Sequence, residues 1–277
     1  MSVLTCAPLT SRTAVAIGGA DWRSFLQGLL TQDVETLSPG EARLAGLLTP
    51  QGRLLYDLFV VGREDGCFLD VAAAHREALV QRLTMYRLRA KVEIGAGDIA
   101  VSALFPGGGP TPGGDWVTDP RLPALGWRGY GAEPPDNAMV ADELAHEAHR
   151  LALGIPGLAD WGSEKTYPIE ANFDLLGGID FKKGCFVGQE TTSRMKRRGQ
   201  VKNRMLPIVF TGPPPAQGSE VLAGDLRAGE VLSGMDGRAM ALLRLDRIEG
   251  VSLTVDGKPV AVERPAWFSR ALGEEGA

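Results

Sequence analysis

The chain has 277 residues, a net charge of −5, and hydrophobic residues at 44% of positions. That length suits about two packed units, because single cores stop growing near about 250–300 residues. The negative balance excludes a surface given over wholly to nucleic acid, and no apolar run approaches the roughly 18 residues of a membrane span. Met1–Arg12 has no positive cluster followed by an apolar stretch, so no secretory signal is expected.

Ala14–Ile17 reads as a short strand, broken by Gly18-Gly19-Ala20-Asp21. Asp21 is then the N-cap of a helix whose Trp22, Phe25, Leu26, Leu29 and Leu30 recur at helical spacing. Ala42–Leu48 and Arg53–Val61 are predicted strands joined by the tight turn Thr49-Pro50-Gln51-Gly52. Cys67–Val71 is a further strand. Ala73–Arg89 is a predicted helix, and Lys91–Ile94 and Ile99–Leu104 return to strand. Pro106–Asp115 is Gly or Pro at eight of ten positions, the composition of a loop or linker. Ala141–Leu153 is a predicted helix ended by Gly154 and Pro156, and Tyr167–Leu176 is another, with Pro168 early in it and Gly177-Gly178 after it. Gly212–Pro215 is a second breaker. Beyond it, Glu220–Val262 alternates apolar runs with the turn pairs Gly224-Asp225, Gly229-Glu230, Asp236-Gly237, Glu249-Gly250 and Asp256-Gly257, which suits a small antiparallel barrel or sandwich. The fold class is therefore α+β, with a large region over 1–205, a possible internal break at 106–137, and a β-rich unit over 206–277.

Cys6, Cys67 and Cys185 are scattered and odd in number, which favours a reducing compartment over a disulfide framework. His146 and His149 are i,i+3 on a predicted helix, flanked by Glu143 and Glu147 with no cysteine nearby. A solvated helix face is expected there, and no metal site is assigned.

Three stretches have residues suited to chemistry. In Lys182-Lys183-Gly184-Cys185-Phe186-Val187-Gly188-Gln189-Glu190, two lysines and a following helix start favour a thiolate at Cys185, while a lone cysteine is also a common small core residue; both readings stay open. In Arg194–Arg204, six of eleven residues are basic and none is acidic. Small-anion binding and a solvated helix end both fit. With no aromatic platform in the run, nucleic acid is disfavoured. The third stretch pairs Gln27–Asp33 with Thr49–Asp57. Asp57 interrupts an apolar strand and needs a partner or ligand, with Arg53 a candidate for an ion pair.

Lys183-Gly184-Cys185-Phe186-Val187-Gly188-Gln189-Glu190 resembles the Lys-Gly-Cys-[Tyr/Phe]-x-Gly-Gln-Glu motif of the YgfZ family, a branch of proteins similar to the glycine cleavage T-protein. Phe25-Leu26-Gln27-Gly28, Thr31-Gln32-Asp33-Val34, Thr49-Pro50-Gln51-Gly52-Arg53, Arg150–Gly154 and Tyr167–Asn172 are similar to the family's other segments, so the resemblance covers nearly the whole chain. It implies a T-protein-like fold of modules around a central cavity that binds tetrahydrofolate or a derivative, with a C-terminal antiparallel β-barrel. It also implies a role in assembly or repair of iron–sulfur enzymes, with folate and iron–sulfur assembly or client proteins as partners. Bacterial members act in the cytoplasm and other relatives in mitochondria. Carried over by position, Lys183, Gly184, Cys185, Phe186, Gly188, Gln189 and Glu190 form the functional motif, with Cys185 its thiol. Gln27, Arg53, Asp57 and Glu170 are the expected folate contacts, and Arg194, Lys196, Arg197 and Arg198 would attract a folate's polyglutamate tail.

Two departures from the T-protein enzyme stand out. Its Gly-Gly-Ile-x-Asp-Asp run is here Gly52-Arg53-Leu54-Leu55-Tyr56-Asp57, with one carboxylate missing. Its Arg-x-Glu-x-Gly is Arg150-Leu151-Ala152-Leu153-Gly154, and alanine offers a pterin no acceptor. An accessory factor is therefore expected rather than an aminomethyltransferase. The alternatives are a folate-dependent one-carbon transferase and a tRNA-modification-associated binding protein.

Overall fold

The computed structural model describes residues 3–95, 97–197 and 201–273. Its first strand, β1 (Thr5–Gly18), is far longer than the predicted Ala14–Ile17. The polar residues Thr10, Ser11 and Arg12 lie in its middle, where the register against a neighbouring strand shifts between Pro8 and Thr13. Such an irregularity interrupts the alternation from which a strand is read. Helix α1 (Trp22–Gln27) follows, and Asp21 does not cap it through its side chain; instead Asp21 Oδ2 accepts the Lys91 N–H at 2.8 Å.

Strands β2 (Ala42–Leu48) and β3 (Leu54–Arg63) form an antiparallel hairpin, as their alternation and Pro-Gly turn predict. After β4 (Gly66–Ala72) come helix α2 (Arg76–Arg87), β5 (Glu93–Ile94) and β6 (Ile99–Phe105). β7 (Trp116–Thr118) and β8 (Trp127–Tyr130) fall inside the stretch read as an internal break. They add to the same sheet because Trp116 and Trp127 pack with Leu104 and Cys6. With β9 (Met139–Val140), the sheet has nine strands in the order β2-β3-β4-β1-β6-β8-β7, and β5 and β9 pair with β1 off that path. Val15, Ile17, Leu69 and Val71 pack against Leu26 and Leu30 from the α1 region and Leu79 and Leu83 of α2.

A second core joins Leu44, Leu54 and Phe59 to Ile155, Ile169, Phe173 and Phe186. Helix α3 (Glu143–Ala152) is capped by Asp142, whose Oδ1 accepts the Ala145 N–H at 3.1 Å. Tyr167–Leu176 forms successive turns instead of the predicted helix. Asn172 has φ +60°, a left-handed conformation that ends any right-handed run. Its buried side chain compensates by donating to Met205 O at 2.7 Å.

Helix α4 (Gln189–Arg197) leads to strands β10 (Asn203–Val209), β11 (Glu220–Ala223), β12 (Leu226–Met235), β13 (Arg238–Arg244), β14 (Leu253–Val255) and β15 (Lys258–Val262). They close into an antiparallel barrel in the order β10-β13-β12-β11-β14-β15. Asp256 and Gly257, both at positive φ, make the hairpin turn that an Asp-Gly pair favours. Gly229-Glu230 is no turn; it lies inside β12 beside the register shift against β11. Helix α5 (Ala266–Leu272) returns to the first region, where Trp267 Nε1 donates to Leu153 O at 2.9 Å.

Candidate functional site

The cysteine loop is held at both ends. The Lys183 ammonium lies 2.6 Å from Gln27 O, 2.6 Å from Leu30 O and 3.1 Å from Gln32 O. These carbonyls sit at and beyond the end of α1, where a helix leaves its C=O groups without intrahelical donors, and an ammonium has one donor for each. Burial lowers the Lys183 amine to about 8, and Asp33, Asp180 and Glu35 oppose that fall. On the other side, Phe186 is buried in the second core.

Two residues further, Gly188 has φ +80° and Gly52 of the β2–β3 turn has φ +81°. A Cβ on Gly188 would stand 2.7 Å from Thr49 O and 2.9 Å from the Gly52 Cα, so the two turns touch backbone to backbone. The two sequence stretches are thereby brought together. Gln189 opens α4, its N–H directed at Phe186 O at 3.2 Å, and Glu190 is exposed. Between the anchors Cys185 is exposed. Gly184 has open space where a side chain would be.

Replacing Lys183 with Met leaves the three carbonyls without their shared donor. It is expected to cost about 1–3 kcal/mol and to raise amide hydrogen exchange across residues 182–188, with Lys183→Arg intermediate. Unchanged exchange in the Met variant would remove Lys183 as the anchor.

Charged groups dominate the centre of the sheet. Arg12 reaches Asp57 at 2.6 Å and Asp70 at 2.5 Å. Arg128 joins Asp70 at 2.8 Å to Asp119 at 3.0 Å, and Arg121 grips Asp119 at 2.8 and 3.0 Å. The Tyr130 hydroxyl donates to Asp70 at 3.0 Å. The three guanidiniums surround the Phe59 ring at 5.0, 5.1 and 3.8 Å from its centroid. Nearby, Arg150 is held by Asp160 at 2.9 Å and Glu147 at 2.7 Å. Burial raises the Asp119 carboxyl, but Arg121 and Arg128 outweigh it and hold that group well below the ordinary carboxylate range.

The four expected folate contacts do not converge. Asp57 lines the central cavity, but its partner is Arg12, not Arg53. Arg53 donates to Lys165 O and lies over the Tyr167 ring at 4.1 Å. Gln27 is closed into its own loop, donating to Asp33 at 2.7 Å and accepting the Val34 N–H at 2.8 Å. Glu170 accepts from Tyr167 N at 3.1 Å and Asn203 Nδ2 at 3.2 Å. The cavity has a volume of about 30 Å³, against the roughly 300–1,000 Å³ of a ligand pocket. The residues present therefore do not fit a folate at the centre. A wider groove of about 820 Å³ lies at the sheet's end beside Arg63, Glu64 and Glu93, and no residue of the cysteine motif lines it.

Residues 202–270 match the family described as CAF17, C-terminal beta-barrel domain. The chain is 30% identical over 313 residues to the mitochondrial iron-sulfur cluster assembly factor IBA57 homolog of Coccidioides immitis, covering 89% of this chain and 72% of that protein. This chain belongs to the IBA57 family.

Human mitochondrial IBA57 is 29% identical over 280 residues, covering 88% of this chain and 79% of that protein. The Neurospora crassa IBA57 homolog is 32% identical over 231 residues, and the chain spans just over half of it, 53%. The solved glycine cleavage system aminomethyltransferase T from Bartonella henselae has a TM-score of 0.77 at 18% identity, covering 96% of this chain and 86% of that one. The IBA57-family fold seen here is thus T-protein-like, ended by a closed antiparallel barrel, and the YgfZ-type motif agrees with the family.

Other expectations about this IBA57-family chain change. Ala152 is exposed and does not line the cavity, so a missing carboxylate there says nothing about the centre. Of the basic run, Arg194, Lys196 and Arg197 are exposed on α4, while Arg204 is buried and paired with Asp174 at 2.5 Å. Arg198 lies outside the described residues. His146 and His149 both pack on Phe105, with His149 Nε2 3.0 Å from Ala124 O, so neither belongs to a solvated face. Among the described residues no helix is long and apolar enough to cross a membrane. The residues that sequence reasoning missed are Arg12, Asp70, Asp119, Arg121 and Arg128. One signal was present, since Asp70 interrupts the apolar strand Cys67–Val71 just as Asp57 interrupts its own.

Proposed function

We propose that this chain is an iron–sulfur cluster assembly factor whose working group is the Cys185 thiol, acting in the cytoplasm. Membership of the IBA57 family supports the role, and the exposure of Cys185 carries the assignment of the group. Cys6 and Cys67 are buried, and burial pushes both thiols above their ordinary value, which makes them poor ligands and poor nucleophiles. Cys185 alone of the three reaches solvent, on a loop anchored by the Lys183 ammonium and the Gly52–Gly188 contact.

One thiolate is a soft ligand for iron but cannot hold a four-iron cluster, which takes four. Cys185 therefore offers one ligand, and a partner from the iron–sulfur assembly machinery or a client protein supplies the others. Three free cysteines suit a reducing compartment. No aminomethyl transfer belongs to this reading.

The test is complementation of a strain lacking the chain, read as the activity of four-iron enzymes. Wild type is expected to restore activity and Cys185→Ser to leave it at the level of the deletion. Full rescue by the serine variant would show that the sulfur is dispensable, and normal four-iron activity in the deletion strain would remove the role itself.

A further inference from the structure

The resemblance to the T-protein relatives implies a folate at the centre of the fold, and the side chains found there are already committed to one another. We infer that this chain has replaced a folate cavity with a closed ion-pair core, and that reduced folate does not bind at its centre. The inference stands apart from the role given to Cys185.

A pterin needs a carboxylate acceptor for its paired N–H donors, an aromatic or apolar face, and room. Every carboxylate at the centre is already engaged: Asp57 and Asp70 hold Arg12, Asp70 and Asp119 hold Arg128, Asp119 holds Arg121, Glu147 holds Arg150, and Glu143 accepts from the Thr10 hydroxyl and the Ser11 N–H. Three guanidiniums face three carboxylates, so the group is neutral as it stands. Withdrawing one carboxylate to serve a ligand strands a buried positive charge. The same three guanidiniums surround Phe59, and the aromatic ring that does line the space, Trp161, packs edge-on against Phe173 at 5.7 Å between centroids. The remaining space of about 30 Å³ is far below the roughly 300–1,000 Å³ of a ligand pocket, though it has room for ordered water. It is lined by His146, whose Nδ1 has no hydrogen-bond partner among the described residues, so a water suits the space chemically as well as by size.

The experiment is calorimetric titration of the full chain with tetrahydrofolate monoglutamate, beside an Asp57→Asn variant whose folding is checked by circular dichroism. The monoglutamate keeps the exposed cations of α4 from contributing through a polyglutamate tail. No saturable heat with ligand up to about 1 mM is expected. Saturable binding of equal affinity in wild type and Asp57→Asn would place folate away from the core and also agree with the inference. Micromolar binding that weakens tenfold or more in Asp57→Asn would overturn it. Should Asp57→Asn fail to fold, Arg121→Lys serves instead, because it keeps the charge and gives up the two-point grip on Asp119.

Discussion

Asp70→Ala is expected to destabilise the folded chain by about 3–5 kcal/mol, the scale of removing one partner from a buried ion pair. Asp70 is fully buried and accepts from Arg12, Arg128 and the Tyr130 hydroxyl. Alanine leaves three guanidiniums facing two carboxylates among buried side chains, where an unpaired charge is costly. Urea unfolding should therefore show a lower midpoint with an unchanged slope. The double variant Asp70→Ala/Arg128→Met should cost less than the sum of its single changes, because it restores neutrality. A loss below 1 kcal/mol for Asp70→Ala would mean that the network is not held as described. The same network gives a sign for acid. The folded Asp119 carboxyl is depressed, so its stabilising contribution is complete above the unfolded value of about 4 and is lost as pH falls through the lower folded value. Arg128→Met removes one of the two cations responsible and should move acid unfolding to higher pH.

Gly188→Ala should abolish function without removing the thiol. The backbone at φ +80° costs a non-glycine residue about 1–3 kcal/mol in strain. The new Cβ would also lie 2.7 Å from a backbone oxygen and 2.9 Å from a backbone carbon, neither of which can swing aside as a side-chain tip can. The contact between the β2–β3 turn and the start of α4 must open, and Cys185 moves with it. Gly184→Ala is the matched control. It lies next to the cysteine, outside the left-handed region, with nothing within 4 Å of its Cβ position, and should change stability by less than about 0.5 kcal/mol. Four-iron enzyme activity in complemented cells and the alkylation rate of Cys185 by iodoacetamide separate the two variants. Equal behaviour would mean that the glycine pair does not set the loop.

What the sequence made legible was local. The hairpin over 42–63 could be read because alternation and a Pro-Gly turn are written in consecutive residues. The barrel could be read from turn pairs at short intervals, Gly224-Asp225, Asp236-Gly237, Glu249-Gly250 and Asp256-Gly257, all of which form turns. β7 and β8 were missed because three- and four-residue strands among glycines and prolines show no period, and their burial depends on Trp116 and Trp127 meeting Cys6 and Leu104 from elsewhere in the chain. The helix predicted over Tyr167–Leu176 had suitable apolar residues, yet Asn172 is drawn into a left-handed conformation whose side chain serves β10, 33 positions away. The site divides in the same way. The cysteine motif was legible as a string, whereas Asp57 was matched to Arg53 only because Arg53 was near in sequence. Its true partner, Arg12, is 45 residues distant and becomes a neighbour only once β1 enters the sheet.

Arg204 begins the barrel, yet its guanidinium is satisfied by Asp174 and the Ile169 carbonyl, and the Met205 N–H is directed at Glu170 O. The C-terminal unit is therefore not a cassette that recombination could lift out at its recognisable boundary. Its near rim and residues 169–174 are one piece of architecture, so a change to either is felt by the other.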